Sequence, residues 1–457
     1  MIRFDNSYLN LPQRAYARVA PNPVPAPQLL ALNTALAAEL GLDPDWLRGP
    51  KGLAMLAGNA LPPGAAGIAQ AYAGHQFGGF TPQLGDGRAL LIGEVTCPAG
   101  RFDIQLKGSG QTPFSRNGDG RAWLGPVLRE YLISEYMARL GVPTTRALAA
   151  VLTGARVQRE TALPGAILTR VAASHIRIGT FQYFAVRGDV EALAALTEHC
   201  ITRHYPGAGD ALGLLHATVA AQAATIAQWM ALGFVHGVMN TDNMTISGQT
   251  IDYGPCAFMD GFHPDTVFSS IDRWGRYAWA EQPHVAVWNL AQFASCLIPL
   301  MGDQDCAIAQ VTEAVHAFPQ IYAQEWQARI CAKLGLPPSP AGADLGQRLL
   351  DLMAAARMDF TTTFANLTSP PPALSAWATE WRSHNPDTAL MARANPRRIP
   401  RNHQIETLIQ AATAGNMTPF HQMQAALSDP FTERPEWDHL DQPPAPDQAV
   451  TRTFCGT

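Results

Sequence analysis

The order of secondary structure along the chain constrains its fold more than any other feature of the sequence. Between Ile68 and Val171, glycine loops alternate with apolar runs typical of strands, and one helical pattern interrupts them. From Val190 to about Leu427 the patterns are mostly helical. A chain of 457 residues with 47% hydrophobic residues can form two or three domains, or one large fold with a sizeable core. We therefore predict an α+β fold with a β-rich first part and a helical second part.

The individual elements follow from periodicity and from helix start and stop signals. Ala89–Val95 is a continuous apolar run and Phe102–Lys107 alternates apolar with polar residues, so both are predicted strands. Gly125-Pro126 starts a predicted helix that ends at Leu140-Gly141. The remaining predictions are a helix over 28–42, two or three short strands over 144–171, helices over 190–205 and 212–232, short strands on both sides of a turn at 247–248, and an extended tail over the last thirty residues.

Charge and cysteine content exclude several classes of protein. A net charge of −5 and a pI near 6.2 give no basic field for nucleic acid, so no nucleic-acid partner is expected. Seven scattered cysteines without a C-x-x-C pair argue against a disulfide framework and against a thiolate zinc site. No apolar run is long and uninterrupted enough for a membrane helix. We predict a cytoplasmic protein that does not bind membranes.

One lysine and one glutamate have the spacing that nucleotide chemistry uses. Only Lys51, Lys107 and Lys333 are lysines among 32 basic residues. Lys107 ends the predicted strand and Glu130 lies on the next predicted helix, as in kinases, where a helix carboxylate orients a strand lysine that binds phosphates. The alternative interpretation is a surface lysine and a solvated glutamate.

A second motif resembles the catalytic and metal-binding loops of kinases, with one change. His236 and Asn243 keep the spacing of the H-R-D-x-x-x-x-N loop, and Asp252-Tyr253-Gly254 takes the place of D-F-G. The position of the kinase base holds Val238, which cannot accept a proton, so Asp242 is the carboxylate that remains. Asn243 and Asp252 supply oxygen ligands suited to Mg²⁺. The alternative is an Asx-rich turn followed by an aspartate at a strand end.

Two glycine loops and two arginines add candidate phosphate contacts. Gly85-Asp86-Gly87-Arg88 and Gly118-Asp119-Gly120-Arg121 combine conformationally free glycines with an arginine. Arg170 and Arg177 flank a short segment after a strand and can reach the same anion, although solvated arginines are the ordinary interpretation.

These elements, in this order, predict a two-lobed, protein-kinase-like fold with a cleft between its lobes and with additional helical segments. The predicted divisions are an arm with a wrapping helix (1–65), a β-rich N-terminal lobe (66–185), a helical C-terminal lobe (186–427) and a tail (428–457).

Several long motifs resemble the selenoprotein O family of bacterial YdiU type, and the resemblance extends over essentially the whole chain. They are Ala73–Gly78, Gln83–Arg88, Gln105–Arg116, Asp119–Arg121, and His236–Met244 followed by Ile251–Pro255. The resemblance implies a pseudokinase that binds ATP in an inverted pose and transfers AMP to Ser, Thr or Tyr hydroxyls of proteins.

The resemblance also implies roles for individual residues. Asp242 becomes the proton acceptor, Asn243 and Asp252 become ligands of Mg²⁺, with Mn²⁺ as the alternative metal, and Asp252 also contacts the nucleotide. The implied ATP contacts are Gly85, Gly87, Arg88, Lys107, Asp119, Gly120, Arg170 and Arg177. Cys455 stands near the C-terminus, where some members carry cysteine or selenocysteine, but the ending differs from the Ser-rich endings of the family.

Two other functions remain open from the residues alone. A phosphotransferase of the same fold, with Asp242 as its base, would transfer the γ-phosphate of ATP. A catalytically inactive nucleotide-binding scaffold would keep Lys107 and the glycines, but it does not need Asp242, Asn243 and Asp252 together.

Overall fold

An antiparallel sheet organises the first part of the chain in the computed structural model, which describes residues 2–454. The strands found there are β1 (Tyr16–Arg18), β2 (Gln28–Leu32), β3 (Ile68–Gln70), β4 (Gly74–Gln76), β5 (Gly79–Thr81), β6 (Ala89–Cys97), β7 (Gly100–Lys107), β8 (Ala122–Trp123), β9 (Arg146–Gln158), β10 (Ala162–Ala172), β11 (Phe234–Val235) and β12 (Ala257–Phe258). The main sheet has the order β1-β3-β6-β7-β10-β9-β2, and β8 pairs with β10. The pairs β4-β5 and β11-β12 form two small separate sheets.

Helices make up most of the chain after β10 and also cover the main sheet. They are α1 (Thr34–Glu39), α2 (Pro44–Arg48), α3 (Pro50–Leu56), α4 (Leu124–Arg139), α5 (Ile178–Ala185), α6 (Val190–His204), α7 (Ala211–Ala231), α8 (Gln282–Leu297), α9 (Gln304–His316), α10 (Phe318–Lys333), α11 (Pro340–Ala356), α12 (Phe360–Ala365), α13 (Ser375–Ser383), α14 (Thr388–Ala394), α15 (Asn402–Thr413), α16 (Thr418–Leu427) and α17 (Asp438–Asp441). The α+β class predicted from the sequence is confirmed.

The apolar run of β6 is continuous because both faces of the main sheet are buried. Leu90 and Ile92 pack on one face with the residues of α1 to α3, whereas Leu91 points into the core shared with α4 and the helical part. Since neighbouring side chains of a strand point to opposite faces, burying both faces requires apolar residues at successive positions.

The prediction of one helix over 28–42 is wrong. Its first part is strand β2, which pairs with β9 and adds an edge to the sheet, and only Thr34–Glu39 is helical. The side chain of Asn33 accepts a hydrogen bond from the backbone N–H of Leu36 at 3.0 Å and caps this short helix. Pairing with a neighbouring strand therefore overrides the helical composition of this segment.

Three further details differ from the sequence expectations. The segment 144–171 contains two long strands, β9 and β10, in place of two or three short ones. The strands expected around the turn at 247–248 are reduced to isolated bridges, and the bridge between Met244 and Thr250 joins the two sides of the turn. The tail is not extended throughout, because α17 lies within it and Asp441 pairs with the buried Arg398, Oδ1 to Nε, at 2.7 Å.

The last described residues pair with a segment far away in the sequence. Thr453 forms a bridge with Ser269, and its backbone N–H donates to the Phe268 carbonyl oxygen at 2.7 Å. Cys455, singled out from the sequence, lies outside the described residues. The six other cysteines are free thiols, so no disulfide forms within residues 2–454.

Lys333 lies in the interior of the helical part. Its Nζ is 4.2 Å from the ring centre of Phe364 and 5.5 Å from that of Phe360. Burial lowers the pKa of this lysine to about 7. Within residues 2–454, no helix has both the length and the apolar character needed to cross a membrane.

Candidate active site

A cavity of about 930 Å³ opens where the main sheet meets the segment 236–254. Its wall contains every residue for which the sequence predicts a nucleotide, metal or catalytic role, namely Gly85, Gly87, Arg88, Lys107, Asp119, Gly120, Arg170, Arg177, Asp242, Asn243 and Asp252. These residues come from loops, strands and turns spread over 168 sequence positions between 85 and 252. The fold therefore brings the predicted site residues together.

Lys107 and Glu130 form the ion pair that their sequence positions suggest. Lys107 is the last residue of β7, and its Nζ donates to Glu130 Oε2 on α4 at 2.6 Å and to Asp252 Oδ1 at 2.9 Å. Arg170, on the neighbouring strand β10, donates from Nε to Glu130 Oε1 at 2.8 Å and from its terminal nitrogen to Asp252 Oδ1 at 2.6 Å. Two cations and two carboxylates thus share one buried cluster.

Arg177 links this cluster to the candidate base. Its guanidinium donates to Asp252 Oδ2 at 2.7 Å and to the backbone carbonyl oxygen of Asp242 at 2.7 Å. The guanidinium lies 4.6 Å from the ring centre of Tyr72, which supplies a cation–π contact. Burial alone would raise the pKa of Asp252, but Lys107, Arg170 and Arg177 hold that pKa well below its usual range.

Asp252 has a backbone conformation that few residue types tolerate. Its φ of 61° lies in the left-handed region, where aspartate and asparagine are accepted more readily than other residues with a Cβ. This conformation directs both carboxylate oxygens at the three cations. Aspartate at position 252 therefore both neutralises the three cations and tolerates the left-handed backbone conformation.

In the described part of the chain, only one oxygen of the Asp242 carboxylate accepts a hydrogen bond from another side chain. Its Oδ2 accepts a hydrogen bond from Gln76 Nε2 at 2.9 Å, whereas its buried Oδ1 has no hydrogen-bond partner in the described part of the chain. Burial raises the pKa of Asp242 to about 6, although Arg177 opposes the shift. A Cβ at Gly74 would approach Asp242 Oδ1 to 2.8 Å, so the carboxylate needs glycine beside it.

His236 and Val238, which the kinase-like spacing singles out, differ in their surroundings. His236 is buried, stacks on Trp229 with ring centres 5.3 Å apart, and donates from Nε2 to the Ile251 carbonyl oxygen at 2.8 Å. It thereby joins the two halves of the segment 236–254. Val238 lies in the cavity wall and presents an apolar side chain there.

The glycines of both loops are required by close packing. Gly85 has φ +104°, and a Cβ there would come within 2.4 Å of the Phe114 ring. Gly120 has φ +65°, and a Cβ there would come within 2.1 Å of the Gly110 carbonyl oxygen. Alanine at either position would therefore push the loop out of place.

Some residues of the site were not found from the sequence. Arg159 forms an ion pair at 2.9 Å with the predicted Asp119, and both residues line the cavity. Asp86 is buried 3.9 Å from Arg177, and burial raises its pKa to about 6. Tyr72 and Gln76 were likewise missed, because no spacing rule connects them with the residues they contact.

The oxygen donors of the cavity fit a hard divalent cation. Within residues 2–454 no three side chains of the His, Cys, Asp or Glu type are arranged as a metal site. Asn243 donates from Nδ2 to the Val238 carbonyl oxygen at 2.8 Å, so its Oδ1 remains for a cation. Asn243 and Asp252 line the same cavity, and an amide oxygen and a carboxylate are ligand types that Mg²⁺ prefers.

Comparison with known proteins identifies the family. The family described as "Protein adenylyltransferase SelO" matches residues 1–380. The chain belongs to the SelO family. Proteins named "Protein nucleotidyltransferase YdiU" match it along their whole length: that of Jannaschia sp. (strain CCS1) is 55% identical over 476 residues, covering 99% of both chains. That of Ruegeria pomeroyi (strain ATCC 700808 / DSM 15171 / DSS-3) is 52% identical over 471 residues, covering 100% of this chain and 99% of the relative. The resemblance stated from the motifs is confirmed.

Proposed function

We propose that this SelO-family protein transfers AMP from ATP to Ser, Thr or Tyr hydroxyls of other proteins. The observation that carries the proposal is the buried carboxylate of Asp242, which has one oxygen without a hydrogen bond and belongs to a residue of the cavity wall, as does Val238 at the position of the kinase base. The family and the names of the relatives support nucleotidyl transfer to a protein.

The fold that we propose for this activity is the two-lobed arrangement of protein kinases. The N-terminal lobe would span 66–185 and the helical C-terminal lobe 186–427, with the cavity between them. The positions of Lys107 on β7, Glu130 on α4 and Asp252 after the segment 236–251 support this arrangement. Strands β1 and β2 come from the segment 1–65 and belong to the same main sheet, so this arm would be part of the N-terminal lobe.

In the proposed reaction, the oxygen of the acceptor hydroxyl bonds to the α-phosphorus of ATP. The bond between the α-phosphorus and the oxygen that bridges to the β-phosphorus breaks, and pyrophosphate leaves with the electron pair. Asp242 Oδ1 accepts the hydroxyl proton, and Gln76 holds the carboxylate in place through Oδ2. Lys107, Arg170 and Arg177 neutralise phosphate charge from the sheet side.

Asn243 and Asp252 would hold Mg²⁺, which supplies further neutralisation of the phosphates. Both oxygens of Asp252 now face cations, so a metal ion at this carboxylate would compete with Lys107, Arg170 and Arg177. The loops with Gly85, Gly87, Arg88, Asp119 and Gly120 would contact the nucleotide in the inverted pose, which keeps the γ-phosphate away from Val238.

The experiment compares two labels of ATP. The purified protein is incubated with Mg²⁺, a mixture of acceptor peptides, and ATP labelled at either the α- or the γ-phosphate. We expect peptides to gain the α-label and never the γ-label. Transfer of the γ-label would establish a phosphotransferase, and ATP binding without transfer of either label would establish an inactive scaffold.

A further inference from the structure

An unusual apolar surface lies beside the cavity mouth, on the segment 263–281 that follows the Asp252-Tyr253-Gly254 turn. Trp274 exposes 94% of its surface and Ile271 exposes 59%, and Ile271 also lines the nucleotide cavity. Contiguous exposed apolar surface on a folded protein often marks an interaction site. The exposed apolar surface is therefore continuous with the proposed active site.

Trp274 borders a second cavity of about 520 Å³, which we call the outer groove. Its main lining residues are Asp265, Trp274, Arg276, Glu281, His284 and Trp288. The guanidinium of Arg276 lies 4.8 Å from a ring centre of Trp288. The groove thus has an aromatic floor and an exposed aromatic edge.

The floor of the outer groove is connected to the candidate base by a short path. Trp288 packs edge-on against His75, with ring centres 5.0 Å apart. The next residue, Gln76, donates its side-chain hydrogen bond to Asp242 at 2.9 Å. The floor of the outer groove and Asp242 are therefore connected through His75 and Gln76.

Hydrogen bonds hold the backbone on both sides of Trp274 in place. The carboxylate of Asp272 accepts hydrogen bonds from the backbone N–H groups of Arg276 at 3.0 Å and Tyr277 at 2.8 Å. Tyr277 in turn donates from its hydroxyl to Asn240 Oδ1 at 2.6 Å. The backbone that carries Trp274 is therefore held in place, and tryptophan is among the side chains that dominate the energy of interfaces.

Two exposed carboxylates on its rim make the outer groove favour positively charged ligands. Asp265 exposes 84% of its side chain and Glu281 exposes 51%. Asp265 and Glu281 both line the groove, and the guanidinium of its arginine, Arg276, lies over Trp288. An apolar side chain flanked by lysine or arginine is the complementary ligand.

We propose that the outer groove docks the acceptor protein, through an extended segment that places a large apolar side chain between Trp274 and Trp288 and a basic residue beside Asp265 and Glu281. This inference rests on the proposed AMP transfer, because it names the kind of substrate that the same site modifies. Docking at this position brings a hydroxyl of the same segment toward Asp242.

The test uses a library of eleven-residue peptides with one central serine and varied flanking positions. Transfer of α-labelled AMP is measured for the parent protein and for Trp274→Ala. The matched control is Leu352→Ala, which removes an exposed apolar side chain on α11 (39% exposed). We expect the parent to prefer a large apolar residue at one fixed position, and kcat/KM for those peptides to fall about 10-fold or more in Trp274→Ala. The KM for ATP stays unchanged, and the control matches the parent.

The double variant Asp265→Asn, Glu281→Gln should lose the preference for lysine and arginine while it keeps the apolar preference. A parent without either preference, or a Trp274→Ala variant with unchanged rate and selectivity, would overturn the proposal. A dimer in sedimentation that disappears in Trp274→Ala would assign the groove to a second copy of the chain and would overturn it as well.

A binding measurement separates failure of docking from failure of the proposed reaction. The probe is a fluorescein-labelled peptide with one tryptophan and two lysines around the serine, and its anisotropy is recorded with each variant. Weaker binding to Trp274→Ala, by about 10-fold, supports docking even if no α-label is transferred. Equal binding to parent and variant contradicts docking, whatever the outcome of the transfer assay.

Discussion

Replacing Asp252 by asparagine is expected to destabilise the fold and to abolish AMP transfer. The carboxylate accepts three charge-assisted hydrogen bonds, from Lys107 at 2.9 Å, Arg170 at 2.6 Å and Arg177 at 2.7 Å. Asparagine keeps the shape but removes the negative charge, so three cations lose the group that they share. Breaking a buried ion pair by removing one partner costs about 3–5 kcal/mol.

Asp252→Ala adds a second cost, which can be separated from the first. The φ of 61° at this residue suits asparagine but not alanine, and left-handed backbone costs about 1–2 kcal/mol at an ordinary residue. We therefore expect the alanine variant to be less stable than the asparagine variant by about that amount. The difference between the two variants isolates the backbone contribution.

The assay is urea denaturation followed by tryptophan fluorescence, together with transfer of α-labelled AMP at saturating Mg²⁺. Asp344→Asn serves as the control, because its side chain is 72% exposed in an ion pair on α11 and should change the free energy of unfolding by less than about 0.5 kcal/mol. Parent-like stability and transfer in Asp252→Asn would refute the shared role of this carboxylate.

Four other substitutions test separate parts of the site and the fold. Asp242→Asn should lower transfer by about 10²- to 10⁴-fold while ATP affinity measured by calorimetry stays unchanged, because only proton acceptance is lost; an unchanged rate would remove Asp242 from the chemistry. Lys107→Met should weaken ATP binding and turnover together, and a variant with parent-like values for both would show a structural lysine. Val238→Asp should not transfer the γ-phosphate and should lower AMP transfer, because its carboxylate would stand near Asp242 and raise carboxyl pKa values; strong γ-label transfer would contradict the inverted pose. Burial holds the pKa of Lys333 at about 7, so between that pH and about 10.5 the unfolded chain binds a proton that the folded protein lacks, and stability rises with pH. Lys333→Met should therefore raise the melting temperature at pH 7, with a smaller gain at pH 9, and a gain independent of pH would contradict the buried, neutral amine.

The local parts of the site could be predicted from the sequence. Lys107 lies on a strand and Glu130 on the next helix along the chain, and packing of that helix against the sheet brings their side chains together. The segment 236–254 is also local, because His236 closes it by donating to the carbonyl oxygen of Ile251. Spacing along the chain carries this kind of information directly.

Contacts that depend on strand order could not be predicted in the same way. Arg170 reaches Glu130 because β10 pairs with β7, so that Arg170 stands opposite Gln105. Tyr72 and Asp86 meet Arg177 only after the sheet is assembled in the order β3-β6-β7-β10. Apolar periodicity identifies strands but does not tell which strands become neighbours. For the same reason the pairing of β2 with β9 was not predicted.

Because the chain has only three lysines, acylation of their amines can report which parts of the folded protein have opened. Lys51, on α3, is exposed, whereas Lys107 is held in ion pairs and Lys333 is buried. A brief pulse of an acylating reagent should therefore modify one lysine side chain within residues 2–454 of the folded chain. Acylation of Lys107 requires opening of the site, and acylation of Lys333 requires opening of the helical interior. Peptide mass spectrometry after such pulses in increasing urea would show which of these two regions opens first.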